Sequence, residues 1–347
     1  MNDEIFTLPY KALKRIDKAF HLEMIGQELK EIPEEIFELK NLKTLNLQSN
    51  LLEKIPPEIS KLTKLEKLTI SYNLLSGLPD EINHLTKLKE LNLNNNNFFK
   101  IPAAISNLKE LKKINLSSNR IEKIDSFVSN MKQLEKIELA RNSLAEINKD
   151  FFKISNLSYL DISENNLKKI PGDFVKFLSL NTLIMHSNLI ENIPAEIGNI
   201  TSLEWLDLSY NNISKIPDEI SNLKNLIGLF LNNNKLKFLN DSLTKLNELE
   251  QLYLNYNSLK KIPKYMGKMK NLHNLEMDCN ELTELPDSIC SIHTLREMSI
   301  DDNNINKLPE CLKEMRNLKM LILSNNPLDK KIKNELENNL SDCKIVF

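Results

Sequence analysis

The sequence predicts an α/β repeat solenoid. Three observations carry the prediction: an asparagine every 23 residues, an LxL segment ahead of each one, and a proline-centred segment behind it. Asn stands at positions 50, 73, 96, 119, 142, 165, 188, 211, 234, 257, 280, 303 and 326, without an insertion or deletion. LEKLTISYNLLSGLPDEINHL at 65–85 and LEWLDLSYNNISKIPDEISNL at 203–223 are two copies of the same frame.

Each part of the frame has a physical reading. In LxL the apolar residues alternate with the period of a half-buried strand, so every copy contributes one short strand. A single copy cannot bury its own leucines, and the core therefore exists only where neighbouring copies stack, with their strands parallel. The Asn amide can donate to and accept from backbone groups of adjacent turns that burial would otherwise leave unpaired, which makes its column structural. In LPxxIxxL the apolar positions are three and four apart, as in one helical turn or a short 3-10 segment, and this forms the convex side. Pro33, Pro56, Pro79, Pro102, Pro171, Pro194, Pro217, Pro263, Pro286 and Pro309 share one slot in which φ is preset. Asp125, Asn148 and Asn240 replace proline there, and looser convex turns are expected at those three copies.

The frame, LxxLxLxxNxLxxLPxxIxxLxx over residues 42–328, resembles the leucine-rich repeat family. Among its 23-residue versions it is most similar to those of cytosolic Ras-interacting scaffolds, plant intracellular relatives and bacterial repeat proteins. The resemblance implies a right-handed leucine-rich repeat horseshoe with a parallel concave sheet and short helical or 3-10 convex segments. Three regions follow: an N-terminal capping segment at 1–18, an array of about fourteen units at 19–328, and a C-terminal capping helix and tail at 329–347. At the first end Gln27 takes the Asn slot, and Leu13, Ile16 and Ala19 keep the frame of Ile36, Leu39 and Leu42. At the other end Leu328, Ile332, Leu336 and Leu340 recur at four-residue spacing on one helical face, which is expected to cover the open core.

Composition narrows the functional classes. Lys and Arg number 46 against 48 Asp and Glu, so no basic field exists to hold nucleic acid or an anionic membrane surface. No apolar run reaches membrane-spanning length, and the charged start of the chain lacks a secretory h-region. A cytoplasmic location is expected, with secretion by a bacterial injection system left open. Cys279, Cys290, Cys311 and Cys343 show no close pairing and read as isolated apolar fillers or exposed thiols. Six glycines form no phosphate-binding loop, and no cofactor or metal is implied. The strongest catalytic grouping, His186 with Ser163, Ser209, Asp161 and Asp207, lies on an open strand surface with no oxyanion hole, and a polar contact surface is the better reading.

Function is therefore expected in the strand columns that the frame leaves free. From Tyr159 onward these hold Asp161, Glu164, Asp207, Glu276, Asp278, Glu297, Asp301 and Asp302 with no Lys or Arg, whereas earlier copies mix Lys67, Lys113, Lys136 and Arg141 with Glu23, Glu90 and Glu138. Ile184, Trp205, Phe230 and Tyr253 put large apolar groups in the inner columns of four consecutive copies, with Tyr159 ahead of them and Tyr210 and Tyr256 alongside. The expected function is a non-catalytic protein-protein interaction scaffold in signalling that binds, on its concave face, a protein offering an apolar anchor and basic residues. A small GTPase, a phosphatase or a host signalling protein fits that description. The second class is a bacterial effector or surface-associated repeat protein acting on a host target. The protein is expected to be monomeric.

Overall fold

The computed structural model describes residues 4–347. The chain divides into two compact units, Met1–Asn166 and Leu167–Phe347. In the first, the strands are β1 (Ile5–Phe6), β2 (His21–Glu23), β3 (Thr44–Asn46), β4 (Lys67–Thr69), β5 (Glu90–Asn92), β6 (Lys113–Asn115), β7 (Lys136–Glu138) and β8 (Tyr159–Asp161), with helix α1 (Pro9–Leu13) after β1. In the second they are β9 (Thr182–Ile184), β10 (Trp205–Asp207), β11 (Gly228–Phe230), β12 (Gln251–Tyr253), β13 (Asn274–Glu276), β14 (Glu297–Ser299), β15 (Met320–Ile322) and β16 (Lys344–Val346), with helix α2 (Lys330–Asn339) before the last. Within each unit consecutive strands pair in parallel. Leu68 lies opposite Leu91 in the first and Leu206 opposite Leu229 in the second, one repeat apart.

The middle residue of each strand from β2 to β15 points into a leucine core, and Leu68, Leu91, Leu206 and Leu229 are almost wholly shielded from water. Five-residue 3-10 turns such as Asp80–His84 and Asp218–Asn222 return the chain along the opposite side, placing Ile82 and Ile220 in that core. The turns after Asp125, Asn148 and Asn240, where looser geometry is expected, have the same length as most of those after proline. These residues take the extended backbone that proline takes elsewhere, and the Asn148 side chain caps its turn by accepting from the Asp150 N–H. The shortest of these turns follows Pro263 instead, at Met266–Lys268.

The asparagine column performs the bonding expected of it. Asn211 Nδ2 donates to the carbonyls of Met185 at 3.0 Å, Leu208 at 3.1 Å and Ser209 at 3.1 Å, while its Oδ1 accepts from the Ile190 N–H at 3.0 Å. Asn73 repeats the set with Leu47, Ile70, Ser71 and Leu52. The residue just before each Asn is left-handed, with φ of +54° at both Tyr72 and Tyr210. Non-glycine residues rarely adopt that region, and the asparagine bonds hold them in it.

The ends depart from the sequence pattern in three ways. β1 and β16 add strands that lack the LxL frame: Ile5 pairs opposite His21 and Lys344 opposite Met320. A terminal segment can join a parallel ladder through its backbone alone. Phe6, Ala12 and Ala19 are buried at the first end, whereas Ile16 is 42% exposed and closes nothing. At the other end Leu336 and Leu340 pack inward, and Asp329 caps α2 by accepting from the Ile332 N–H at 2.8 Å. Cys290 and Cys311, expected to stand alone, form a disulfide between successive 3-10 turns with Cα atoms 6.0 Å apart. Their separation of 21 residues brings the same face of neighbouring repeats together, so the absence of close pairing in sequence was no guide. Among the described residues no helix is long and apolar enough to cross a membrane.

Replacing Asn211 by Ala would strip partners from buried carbonyls and one N–H, and a loss of about 1–3 kcal/mol is expected. Exposed Asn192→Ala serves as control. Thermal melts in which both variants match the parent would refute the role given to the column.

Candidate functional site

In the second unit the strand register lines up Ile184, Asp207, Phe230, Tyr253 and Glu276 as one row across β9 to β13. All five are half-buried on the side opposite the leucine core. Trp205 sits two residues before Asp207, directly opposite Gly228 on the next strand. The Trp205 ring stacks on Phe230, with centroids 6.0 Å apart and planes 14° from parallel, and Tyr253 meets Phe230 edge-on at 5.1 Å. Of the residues singled out by sequence, Trp205, Phe230 and Tyr253 therefore come together and pack on one another. Tyr210 and Tyr256 are more than half exposed in the left-handed positions after β10 and β12.

Gly228 makes this packing possible. A methyl group there would lie 2.4 Å from Cε3 of Trp205 and 2.8 Å from Cε2 of Phe230. The space of a missing side chain is thus filled by two rings. Sequence reading missed the glycine because its column is otherwise variable, and only the register shows which rings lean over it.

The carboxylates divide into structural and free ones. Asp278 Oδ1 accepts from Ser299 Oγ at 2.5 Å and from the Asp301 N–H at 2.8 Å, continuing a ladder in which Asn232 accepts from the Asn255 N–H and Asn255 from the Asp278 N–H. Asp207 accepts from the Ser209 N–H, Glu276 from Asn255 Nδ2, Glu297 from Asn274 Nδ2 and Asp301 from Asn325 Nδ2. Asp302 is exposed. Among the described residues none of these six forms an ion pair with Lys or Arg. Burial first, then the neighbouring carboxylates, raises the Glu276 carboxyl above the usual range, and burial likewise raises Asp278.

The first unit has the opposite electrostatics. Lys67 and Lys113 hold Glu90 at 3.0 and 2.9 Å, Lys136 holds Glu138 at 3.1 Å, and Arg141 holds Glu164 at 2.8 Å. Glu164, expected to join the acidic strip, is therefore neutralised. Tyr159 lies here with the Lys136 ammonium 4.2 Å from its ring centroid, and burial, with Asp161 and Glu138 nearby, pushes its hydroxyl up to about 12. Asp161 accepts from Ser163 Oγ at 2.6 Å. In the second unit His186 is bonded to Ser187 at 3.1 Å and Asp207 serves the Ser209 backbone, so no Ser–His–Asp relay forms among His186, Ser209 and Asp207. Among the described residues no cluster of His, Cys, Asp and Glu could hold a metal ion.

Comparison with known proteins agrees with the fold. The leucine-rich repeat region family matches residues 8–139 and 196–281, and a second leucine-rich repeat family matches 132–190 and 270–328. No curated protein matches the chain in sequence. Among solved structures it is similar to a leucine-rich repeat protein of Leptospira interrogans, with 28% identity and a TM-score of 0.85 over 99% of this chain and 100% of that one. It is also similar to an internalin from Listeria monocytogenes, at 21% identity and a TM-score of 0.74 over 96% and 88% of the two chains. A third similar structure is the plant peptide hormone receptor RGFR1 in complex with RGF2, at 27% identity and a TM-score of 0.61 over 94% and 66%.

Two outcomes test this geometry. Gly228→Ala is expected to cost about 1–3 kcal/mol and to change the Trp205 fluorescence, because the methyl group overpacks the rings. Unchanged stability and emission would mean that the rings do not occupy that space. Glu276 has a raised folded pKa, so its contribution to stability is fully present below the ordinary carboxylate pKa and lost as pH rises through the raised value. Glu276→Gln should therefore raise the melting temperature at neutral pH, with the gain shrinking toward pH about 4; a loss of stability of equal size at every pH would contradict it.

Proposed function

The chain belongs to the leucine-rich repeat family, and from that premise we propose that it is a non-catalytic protein-interaction module. Its concave strand face in the second unit takes a partner segment that offers one large apolar side chain followed by Lys or Arg. The observation that carries this reading is the set of six carboxylates without a cation of their own, bordering the ring group of Trp205, Phe230 and Tyr253. Burying ring faces and pairing exposed acids with basic residues are the usual sources of hot-spot energy and of charge steering. The likeness to a plant peptide hormone receptor in complex with RGF2 supports a peptide segment as the occupant. Partners in cytoplasmic signalling, such as a small GTPase or a phosphatase, can present such a segment.

A second reading places the same surface on a bacterial protein that acts on a host target, and the likeness to the Leptospira protein over the whole chain favours it. The chemistry sought in the partner is the same in both.

Selection from a random short-peptide library on the whole chain tests the proposal. Enriched peptides should join a large apolar residue to nearby Lys or Arg, and Trp205→Ala should weaken them by about 2 kcal/mol or more, with some loss of thermal stability from the broken ring stack. The exposed pair Glu297→Lys and Asp302→Lys, which leaves the rings intact, should slow association and flatten its salt dependence. Enrichment of acidic peptides, or undiminished binding by the charge-reversed protein, would place the site elsewhere.

A further inference from the structure

The Cys290–Cys311 bridge joins two particular repeats. Cys290 lies in the 3-10 turn Asp287–Ser291 that follows β13, and Cys311 lies in the turn Glu310–Glu314 that follows β14. On their strand side these same two repeats carry Glu276 and Asp278, then Glu297, Asp301 and Asp302. Five carboxylates on adjacent strands repel one another, and among the described residues no Lys or Arg forms an ion pair with any of them. Like-charged neighbours at this stacking distance push repeats apart, which the Lys–Glu pairs of the first unit avoid. The covalent link is thus placed across two neighbouring repeats whose strand sides carry five acidic groups between them.

We propose that the Cys290–Cys311 disulfide is a redox-operated staple that holds these two repeats together against their own charge, and that reducing it loosens the acidic part of the strand row. Both sulfurs belong to half-buried residues beside an open groove lined by Asp287, His293, Glu314 and Arg316, so a reductant can reach them. The step is thiol–disulfide exchange with an external dithiol. Its thiolate bonds to one cysteine sulfur and expels the other as a thiolate, which takes up a proton. The second thiol of the reductant then displaces the first cysteine, so that the disulfide gains two electrons and two protons and the dithiol becomes a disulfide. In a reducing cytosol the staple is open; on reaching an oxidising compartment it closes. The consequence for partner binding rests on the function proposed above, whereas the staple itself does not.

Hydrogen exchange of the full-length chain, oxidised and then reduced with dithiothreitol, tests the staple without any partner. Reduction should speed exchange about tenfold at amides of residues 272–328 and leave residues 190–250 unchanged. Raising the salt to about 1 M should close most of that gap by screening the carboxylates. Glu276→Gln with Asp278→Asn, which keeps both hydrogen-bond acceptors, should close it at low salt. Cys290→Ser with Cys311→Ser should behave as the reduced protein under all conditions. Four alkylatable thiols in protein treated with oxidised glutathione, equal exchange in both redox states, or a gap indifferent to salt and to the neutral variant would each overturn the proposal. None of these outcomes bears on peptide selection, and failure of the selection leaves the staple standing.

Discussion

Every other feature of this protein depends on how one side chain satisfies the buried backbone at the end of each strand. Where the chain turns inward after LxL, three carbonyls and one N–H lose water together, and a single asparagine amide serves all four. Two of those bonds reach back along the chain, 21 residues to the Ile190 N–H and 26 residues to the Met185 carbonyl, so each asparagine ties its repeat to the preceding one. A repeat one residue longer or shorter would break the set. The fixed spacing in turn aligns the free strand positions into straight rows, and only because of that alignment do residues 46 positions apart, such as Ile184 and Phe230, share one surface with Asp207 between them.

On this uniform frame the two units treat charge differently. In the first, lysines and glutamates on adjacent strands neutralise one another, an arrangement that serves stability and leaves little for a partner. In the second, acidic groups stand beside aromatic rings and, among the described residues, pair with no Lys or Arg, and two carboxyls are shielded enough for burial to oppose their ionisation. A protein pays stability for such an arrangement, and positions that break local rules are where function is to be sought. The ring group follows the same logic: it needs a glycine at the first position of β11, a residue that weakens a strand unless something else occupies its place.

The periodic part of the fold was legible because its signal is repeated in every copy, and the asparagine bonds and 3-10 turns follow from it. The features that sequence reading missed are those that leave no repeated side-chain signature. β1 and β16 are held by backbone pairing, which leaves no side-chain signature. The left-handed position before each asparagine is occupied by Ser, Tyr, Arg, Glu, Cys and others, so composition does not reveal it. The proposed site was legible as a set of residues, since Ile184, Trp205, Phe230 and Tyr253 break the polar habit of their columns. Their mutual packing, the role of Gly228 and the pairing of Glu164 with Arg141 were not, because each depends on which side chains meet across a register.

The reach of the asparagine bonds also bears on how such a chain can change over generations. Each amide is indifferent to which repeat lies next to it, provided that the neighbour begins 23 residues away, since it bonds only to backbone and every copy offers the same carbonyls and N–H. Unequal exchange between copies of the coding sequence that adds or removes one whole repeat therefore restores all the bonds at the new junction. What such an event alters is the row of free positions: a ring can be moved one strand further from an acid, or a second acid placed beside it, in a single step. Recognition in this architecture can thus be revised by recounting repeats, with no core residue substituted.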